Sequence, residues 1–329
     1  MLLDTFGRQA VDLRVSLTDR CNLRCTYCMP EEGLQWLGKP DLLTDEEIVR
    51  LVTIAVRDLG VREVRFTGGE PLLRPGLVAI VAACSDLEPR PEISLTTNGI
   101  GLARTATALR EAGLDRVNVS LDTLDPEVFF TLTRRRRHQD VLDGLAAAEA
   151  AGLAPVKLNA VLMRGVNDHE APDLLAWCLE HGYELRFIEQ MPLDAQHGWD
   201  RTSMITAEEI LDRLAARFAL TPEPSARRGA APAERWLVDG GPARVGVIAS
   251  VTRPFCRACD RTRLTADGQV RNCLFATGET DLRTALREGA GDHEIGALWR
   301  AAMWGKKAGA GIDDPEFHQP DRPMSAIGG

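Results

Sequence analysis

Nowhere in these 329 residues does an apolar run approach the length needed to cross a bilayer, which excludes a membrane-spanning helix. The opening MLLDTFGRQAVDLR lacks a basic region followed by an apolar core, so no export signal is expected and the cytoplasm is the natural setting. An excess of basic charge is missing too. Thirty-nine Lys and Arg face 48 Asp and Glu, a formal net charge of -9, which argues against general attraction to nucleic acid or to an anionic membrane face. There is no GxxxxGK[ST] loop, so a bound nucleotide is not held as in P-loop enzymes, and its phosphates would need scattered Arg and Lys. No solenoid-type repeat is present.

What the chain does have is cysteine in an unusual distribution. A chain of this length buries a core without disulfide staples. Six of the eight cysteines nevertheless fall into two compact threes, Cys21, Cys25, Cys28 and Cys256, Cys259, Cys273. Threes are not disulfide pairs, and in a reducing compartment clustered thiols bind metal. Cys84 and Cys178 stand alone in apolar, helix-like stretches and read as ordinary buried thiols.

Short β-branched runs alternate with amphipathic helical patterns through the first two-thirds of the chain. VDLRVSLT, VREVRFTGG, EISLTTN, RVNVSLD, VKLNAVL and ELRFIEQM are the candidate strands. Six such units predict an α/β fold, an incomplete (βα)6 barrel of TIM type. Thr44 and Glu47 form a capping box before a helix with Ile48, Leu51, Val52 and Ala55 on one face. Further helices are predicted over 102–112, 139–151, 170–180 and 207–218. Residues 1–220 therefore form the barrel, and the Pro- and Ala-rich 221–234 a linker or loop. Residues 235–329 form a smaller α+β module with strands in WLVDG, RVGVIAS and RTRLTADGQVRNCLF, the last carrying an Asp267-Gly268 hairpin signal.

CNLRCTYC has the spacing C-x3-C-x2-C. Three thiolates hold three corners of a 4Fe-4S cubane and leave one iron open to chelate the amino and carboxylate groups of S-adenosylmethionine; a zinc loop short of one ligand is the alternative. One strand later comes Thr67-Gly68-Gly69-Glu70-Pro71, whose glycines would let backbone approach a bound amino acid closely. The second three reads C-x2-C-x13-C with no His between Val251 and Thr280, which leaves either a zinc with a distant ligand or a second cubane with an open iron. Between its cysteines sits Arg261-Thr262-Arg263, two planar forks suited to phosphate or to solvent. Arg14, Arg65 and Lys157 are cations at strand positions, candidates for phosphate or for pairing with carboxylates. Arg134 to Arg137 reads as a solvated basic helix end or loop. Tyr27 is either a surface aromatic or a wall for adenine.

C-x3-C-x2-C followed by GGEP resembles the radical S-adenosylmethionine superfamily. LRVSLTDRCNLRCTYCMP, EVRFTGGEPLLR, KLNAVLMRGVNDHE, FIEQMP, PFCRACDRTRLTADGQVRNCLF and the terminal MSAIGG, in collinear order over nearly the whole chain, resemble the GTP 3',8-cyclase family of molybdenum cofactor biosynthesis. The resemblance implies a barrel whose opening the C-terminal module covers. It implies two 4Fe-4S clusters facing one cavity, the first on Cys21, Cys25 and Cys28 and the second on Cys256, Cys259 and Cys273. By motif position, Tyr27, Gly69, Ser120 and Met191 would contact S-adenosylmethionine. Arg14, Arg65, Thr96, Lys157, Arg261, Thr262 and Arg263 would contact GTP, with Arg14, Arg261 and Arg263 closest to the chemistry.

The implied reaction is a lyase reaction: a 5'-deoxyadenosyl radical takes hydrogen from ribose C3' of GTP and the carbon radical closes onto guanine C8. The implied partners are a flavodoxin- or ferredoxin-type electron donor and a downstream cyclic pyranopterin monophosphate synthase, with the chain a monomer or homodimer. In the family the Gly328-Gly329 tail reaches into the cavity. A peptide-modifying radical enzyme with an auxiliary cluster, or a non-catalytic iron-sulfur or zinc module, are the competing readings. Two stretches depart from relatives, Gly305 to Gly311 and the segment before Arg235, and neither is expected to touch a site.

Overall fold

The capping box read from the sequence starts the first helix: the Thr44 side chain accepts from Glu47 N, and Glu47 reaches back to Thr44 N. Ile48, Leu51, Val52 and Ala55 are all buried beneath it. A computed structural model describes residues 1–224, 228–312 and 317–328. In chain order its first part runs β1 (Asp12–Ser16), α1 (Asp45–Arg57), β2 (Glu63–Thr67), α2 (Leu77–Ser85), β3 (Glu92–Thr97), α3 (Leu102–Glu111) and β4 (Arg116–Ser120). Then come α4 (Pro126–Thr133), α5 (His138–Ala150), β5 (Lys157–Val161), α6 (Ala171–Glu180), β6 (Glu184–Ile188) and α7 (Ala207–Ala215). Strands β1 to β6 are parallel and lie in sequence order. These are the six βα units of an incomplete barrel.

The remainder comprises β7 (Leu220–Pro222), β8 (Glu234–Val238), β9 (Arg244–Ile248), β10 (Arg261–Leu264), β11 (Gln269–Arg271), β12 (Thr280–Asp281), α8 (Arg283–Arg287), α9 (Asp292–Trp304) and α10 (Met324–Ile327). Its strands join the barrel at both edges, β9 running parallel to β6 and β10 parallel to β1. One sheet results, in the order β12-β11-β10-β1-β2-β3-β4-β5-β6-β9-β8-β7. The stretch 221–234 links β7 to β8 within it, and residues 225–227 of that stretch lie outside the described residues.

Period-2 alternation decides what faces the barrel interior. Leu13, Val15, Val64, Phe66, Ile93, Leu95, Val117 and Val119 are fully buried in the core shared with the helices. Residues alternating with the apolar ones point the other way, and those lining the interior are polar: Arg14 on β1, Arg65 on β2, Thr96 on β3, Ser120 on β4 and Asn159 on β5. The strands thus carry an apolar outer face and a charged inner one.

Candidate active site

The loop after β1 carries Cys21, Cys25 and Cys28 and is clamped from two sides. On one side Gly69 N donates to Thr18 O at 2.7 Å and Glu70 N to Arg20 O at 2.8 Å. A Cβ on Gly68 or Gly69 would stand 2.4 Å from the carbonyl oxygen of Thr18 or Arg20, respectively. The close approach these glycines serve is therefore to the cysteine loop itself. Glu70 is fully buried and accepts from Leu72 N, Thr97 Oγ1 and Asn98 N; burial raises its carboxyl to about 7.

On the other side Arg24 N and Thr26 N donate to Thr133 O and Leu132 O, the last carbonyls of α4, each at 2.9 Å. Arg134, left-handed with φ 56°, donates to Arg24 O and Met29 O at 3.1 and 3.2 Å. This corrects one reading. Arg136 and Arg137 pair with Glu127 and Asp140 at the surface as expected, whereas Arg134 braces the cysteine loop.

Cys21 Sγ accepts from Leu23 N at 3.4 Å and lies 3.9 Å from Asn98 Nδ2. Burial lifts Cys21 to about 11 and Cys28 to about 12, and Cys25 well above the ordinary thiol range. On binding a metal such thiols would lose their protons to solvent. Cys259 differs. Burial alone would raise it, but the charges of Lys306 and then Arg261 bring it below the ordinary value.

Both triads line one cavity of about 340 Å³. Its wall also holds Arg14, Arg65, Thr96, Arg261 and Arg263, together with Tyr27, Gly69, Ser120 and Met191. Tyr27 is turned inward, its hydroxyl donating to Asp122 Oδ2 at 2.7 Å. Two expected residues stand elsewhere. Thr262, between the arginines on β10, faces the opposite side and its Oγ1 accepts from Trp299 Nε1 of α9 at 2.9 Å. Lys157 opens β5 and pairs with Glu184, which opens β6, at 3.2 Å, outside the cavity wall.

Among the wall residues that were not anticipated are Arg186, Asn159 and Asp122. Arg186 was legible as an inward position of β6. Gly246 on the neighbouring β9 leaves room for its stem, since a Cβ there would sit 2.9 Å from Arg186 Cγ. Burial, with repulsion from neighbouring arginines, pushes Arg14 and Arg263 down to about 9 and Arg65 and Arg186 to about 10. Asp12 lies among Arg14, Arg65, Arg261 and Arg263 as their shared carboxylate. The Nε groups of Arg14, Arg65 and Arg186 and Oδ1 of Asn159 are buried without hydrogen-bond partners. Five guanidinium groups on one wall, four of them around a single carboxylate, form a site preorganised for a polyanion.

Neither atypical stretch is remote from the site, contrary to expectation. Arg261 donates to Ala230 O at 3.0 Å, and Lys306 of the second stretch reaches Cys259. The tail lies inside as well: Arg263 donates to Gly328 O, and a Cβ on Gly328 (φ 84°) would meet Thr67 Cγ2 at 2.8 Å. Gly329 lies outside the described residues.

A parallel βα sheet with a C-x3-C-x2-C loop beside GGEP at the strand ends defines a radical S-adenosylmethionine enzyme, and the Radical SAM superfamily model matches residues 15–178. Molybdenum Cofactor Synthesis C matches residues 183–312. The chain is 78% identical to GTP 3',8-cyclase of Streptomyces coelicolor, covering 100% of this chain and 96% of that protein. It is 63% identical to GTP 3',8-cyclase of Mycobacterium marinum, covering 100% and 92%. The chain belongs to the GTP 3',8-cyclase family. Among solved structures, Streptococcus suis SuiB superposes with a TM-score of 0.62 at 14% identity, over 96% of this chain and 76% of that one. The native anSMEcpe with bound AdoMet gives 0.58 at 15%, over 90% and 81%. These two share the fold.

Proposed function

We propose that this chain converts GTP to 3',8-cyclo-7,8-dihydro-GTP, the first step of molybdenum cofactor biosynthesis, with the residues of one cavity dividing the work. In this reading Cys21, Cys25 and Cys28 hold the first 4Fe-4S cluster and Cys256, Cys259 and Cys273 the second. Bound S-adenosylmethionine and its cluster supply a carbon radical able to take hydrogen from an unactivated ribose carbon. Tyr27, Gly69, Ser120 and Met191 seat the S-adenosylmethionine. Arg14, Arg65, Arg261 and Arg263, joined by Arg186, hold the triphosphate, with Thr96 beside them; Lys157 enters by exchanging Glu184 for a phosphate oxygen. Anchoring the phosphates fixes where C3' lies, and a reaction between bound groups gains rate from such placement. The chemistry requires that the loaded cavity exclude water, which would divert a reactive carbon.

The observation that carries the reading is the set of five cavity arginines, four of them around Asp12. A peptide-modifying enzyme has no use for that density of fixed charge. The eight unpaired thiols suit the reducing cytoplasm, and among the described residues no helix is long and apolar enough to cross a membrane. A flavodoxin- or ferredoxin-type donor supplies the electron, and cyclic pyranopterin monophosphate synthase consumes the product. The test is anaerobic: the reduced, two-cluster protein should form 5'-deoxyadenosine only when GTP is present, with the cyclised nucleotide identified by mass spectrometry. Rapid turnover without GTP, or none with it, overturns the assignment.

A further inference from the structure

We infer that Lys306 is a positioning and tuning residue for the second cluster, holding the Cys259 thiolate by a charged N–H···S hydrogen bond from behind the cavity. Lys306 Nζ lies 3.4 Å from Cys259 Sγ, 3.3 Å from Cys259 O and 2.8 Å from Arg261 O. Those three acceptors use all three ammonium protons. The residue is 4% exposed, and no carboxylate of the described residues lies within ion-pair distance of it. A buried ammonium without a carboxylate is costly unless another anion answers it; here the available anion is a cluster-bound thiolate.

The surroundings build this contact. On its outward face β10 presents Thr262 to the Trp299 indole of α9, and near the end of that helix Ala302 O accepts from Asn272, next to Cys273. Lys306 N then donates to Met303 O at the turn out of α9. The helix is pinned at both points, and the turn after it delivers the Lys306 ammonium to the middle cysteine of the triad. Hydrogen bonds and positive charge at cluster sulfurs favour the reduced, more negative state.

The inference rests on the reading that Cys256, Cys259 and Cys273 hold a cluster, and the experiment separates the two. Mössbauer spectra of the unaltered protein come first: one cluster alone sinks that reading. With two clusters present, EPR-monitored redox titration of Lys306→Met should show the second cluster harder to reduce, its reduced-to-oxidised ratio falling about tenfold at fixed potential, about 59 mV for a one-electron couple. The first cluster should titrate as before, and Lys306→Arg should recover most of the shift. An unshifted second cluster in a fully loaded Met variant overturns the inference. So does an Arg variant that shifts as far as Met, because charge would then be irrelevant. If Met fails to load the second cluster, the Arg variant decides: near-parental potential supports the inference, and failure of both to load makes Lys306 a structural brace and overturns it.

Discussion

At the scale of single residues, the strand carrying Arg261, Thr262 and Arg263 shows how alternation assigns roles. Successive side chains on a strand point to opposite faces, so two arginines in the cavity force the threonine between them out of it. Motif likeness placed all three on GTP; the geometry gives Thr262 to Trp299. Two variants separate these roles. Arg263→Ala should raise the GTP dissociation constant about ten- to hundredfold, the usual worth of one or two hydrogen bonds to charge, with both clusters retained; equilibrium dialysis showing parental affinity would remove it from the site. Thr262→Val should leave GTP affinity unchanged and lower stability by about 1–3 kcal/mol in urea, because a buried indole N–H loses its acceptor. The cysteine spacings and inward arginines were legible because each depends on residues close in sequence. Lys306 was not: its partner Cys259 is 47 positions earlier, and nothing local distinguishes a buried lysine from a solvated one.

At the scale of elements, the helices divide into those the chain's local pattern announces and those whose purpose appears only on assembly. The capping box of α1 was readable from Thr44 and Glu47, and α7 has another, Thr206 with Glu209. The side-chain hydrogen bond from Arg164, followed by the Thr206 contacts, pulls Glu209 down to about 2. A carboxyl with a depressed folded pKa contributes stability above its unfolded value and loses it as pH falls towards the folded one. Glu209 is largely solvated, so the contribution is about 0.5–1 kcal/mol. The urea midpoints of the parent and Glu209→Gln should differ at pH 7 and converge as pH falls from about 4.5 towards 2; a gap independent of pH would contradict this. Helix α4 has the second kind of meaning. Its carbonyls and Arg134 hold the cysteine loop from 24 to 29, a partnership no periodicity encodes. Arg134→Ala should leave the helical content unchanged and lower occupancy of the first cluster, measured as iron bound per chain after anaerobic reconstitution.

At the scale of the whole molecule, the composition shift near residue 221 suggests two modules, and the hydrogen bonding joins them. Chain connectivity places the barrel first, but β1 finds one parallel neighbour in β10 and β6 finds one in β9. Pairing between strands 249 residues apart, as Asp12 with Arg261, or 60 apart, as Leu185 with Val245, leaves no trace in a local hydrophobic pattern, which is why six parallel strands were legible and the two flanking ones read as a separate unit. The second triad and Arg261 and Arg263 are thereby fixed in register with Arg14 of the first strand, Arg14 opposite Arg263. A hinge between modules would lose that register, and the two clusters would no longer face one substrate. A continuous sheet also makes a physical demand on any fragment. Cut after Ala219, the barrel exposes the edges of β1 and β6, with unpaired backbone groups beside Leu13, Val15, Leu185 and Phe187, all 1% exposed or less in the intact chain. Long apolar edges of this kind template association between chains. The fragment 1–219 should therefore sediment as aggregates where the full chain does not, and the full chain should unfold in one transition by fluorescence and circular dichroism. A monodisperse, folded fragment would mean that the first six strands are self-sufficient and that the second triad is carried on a separable lid.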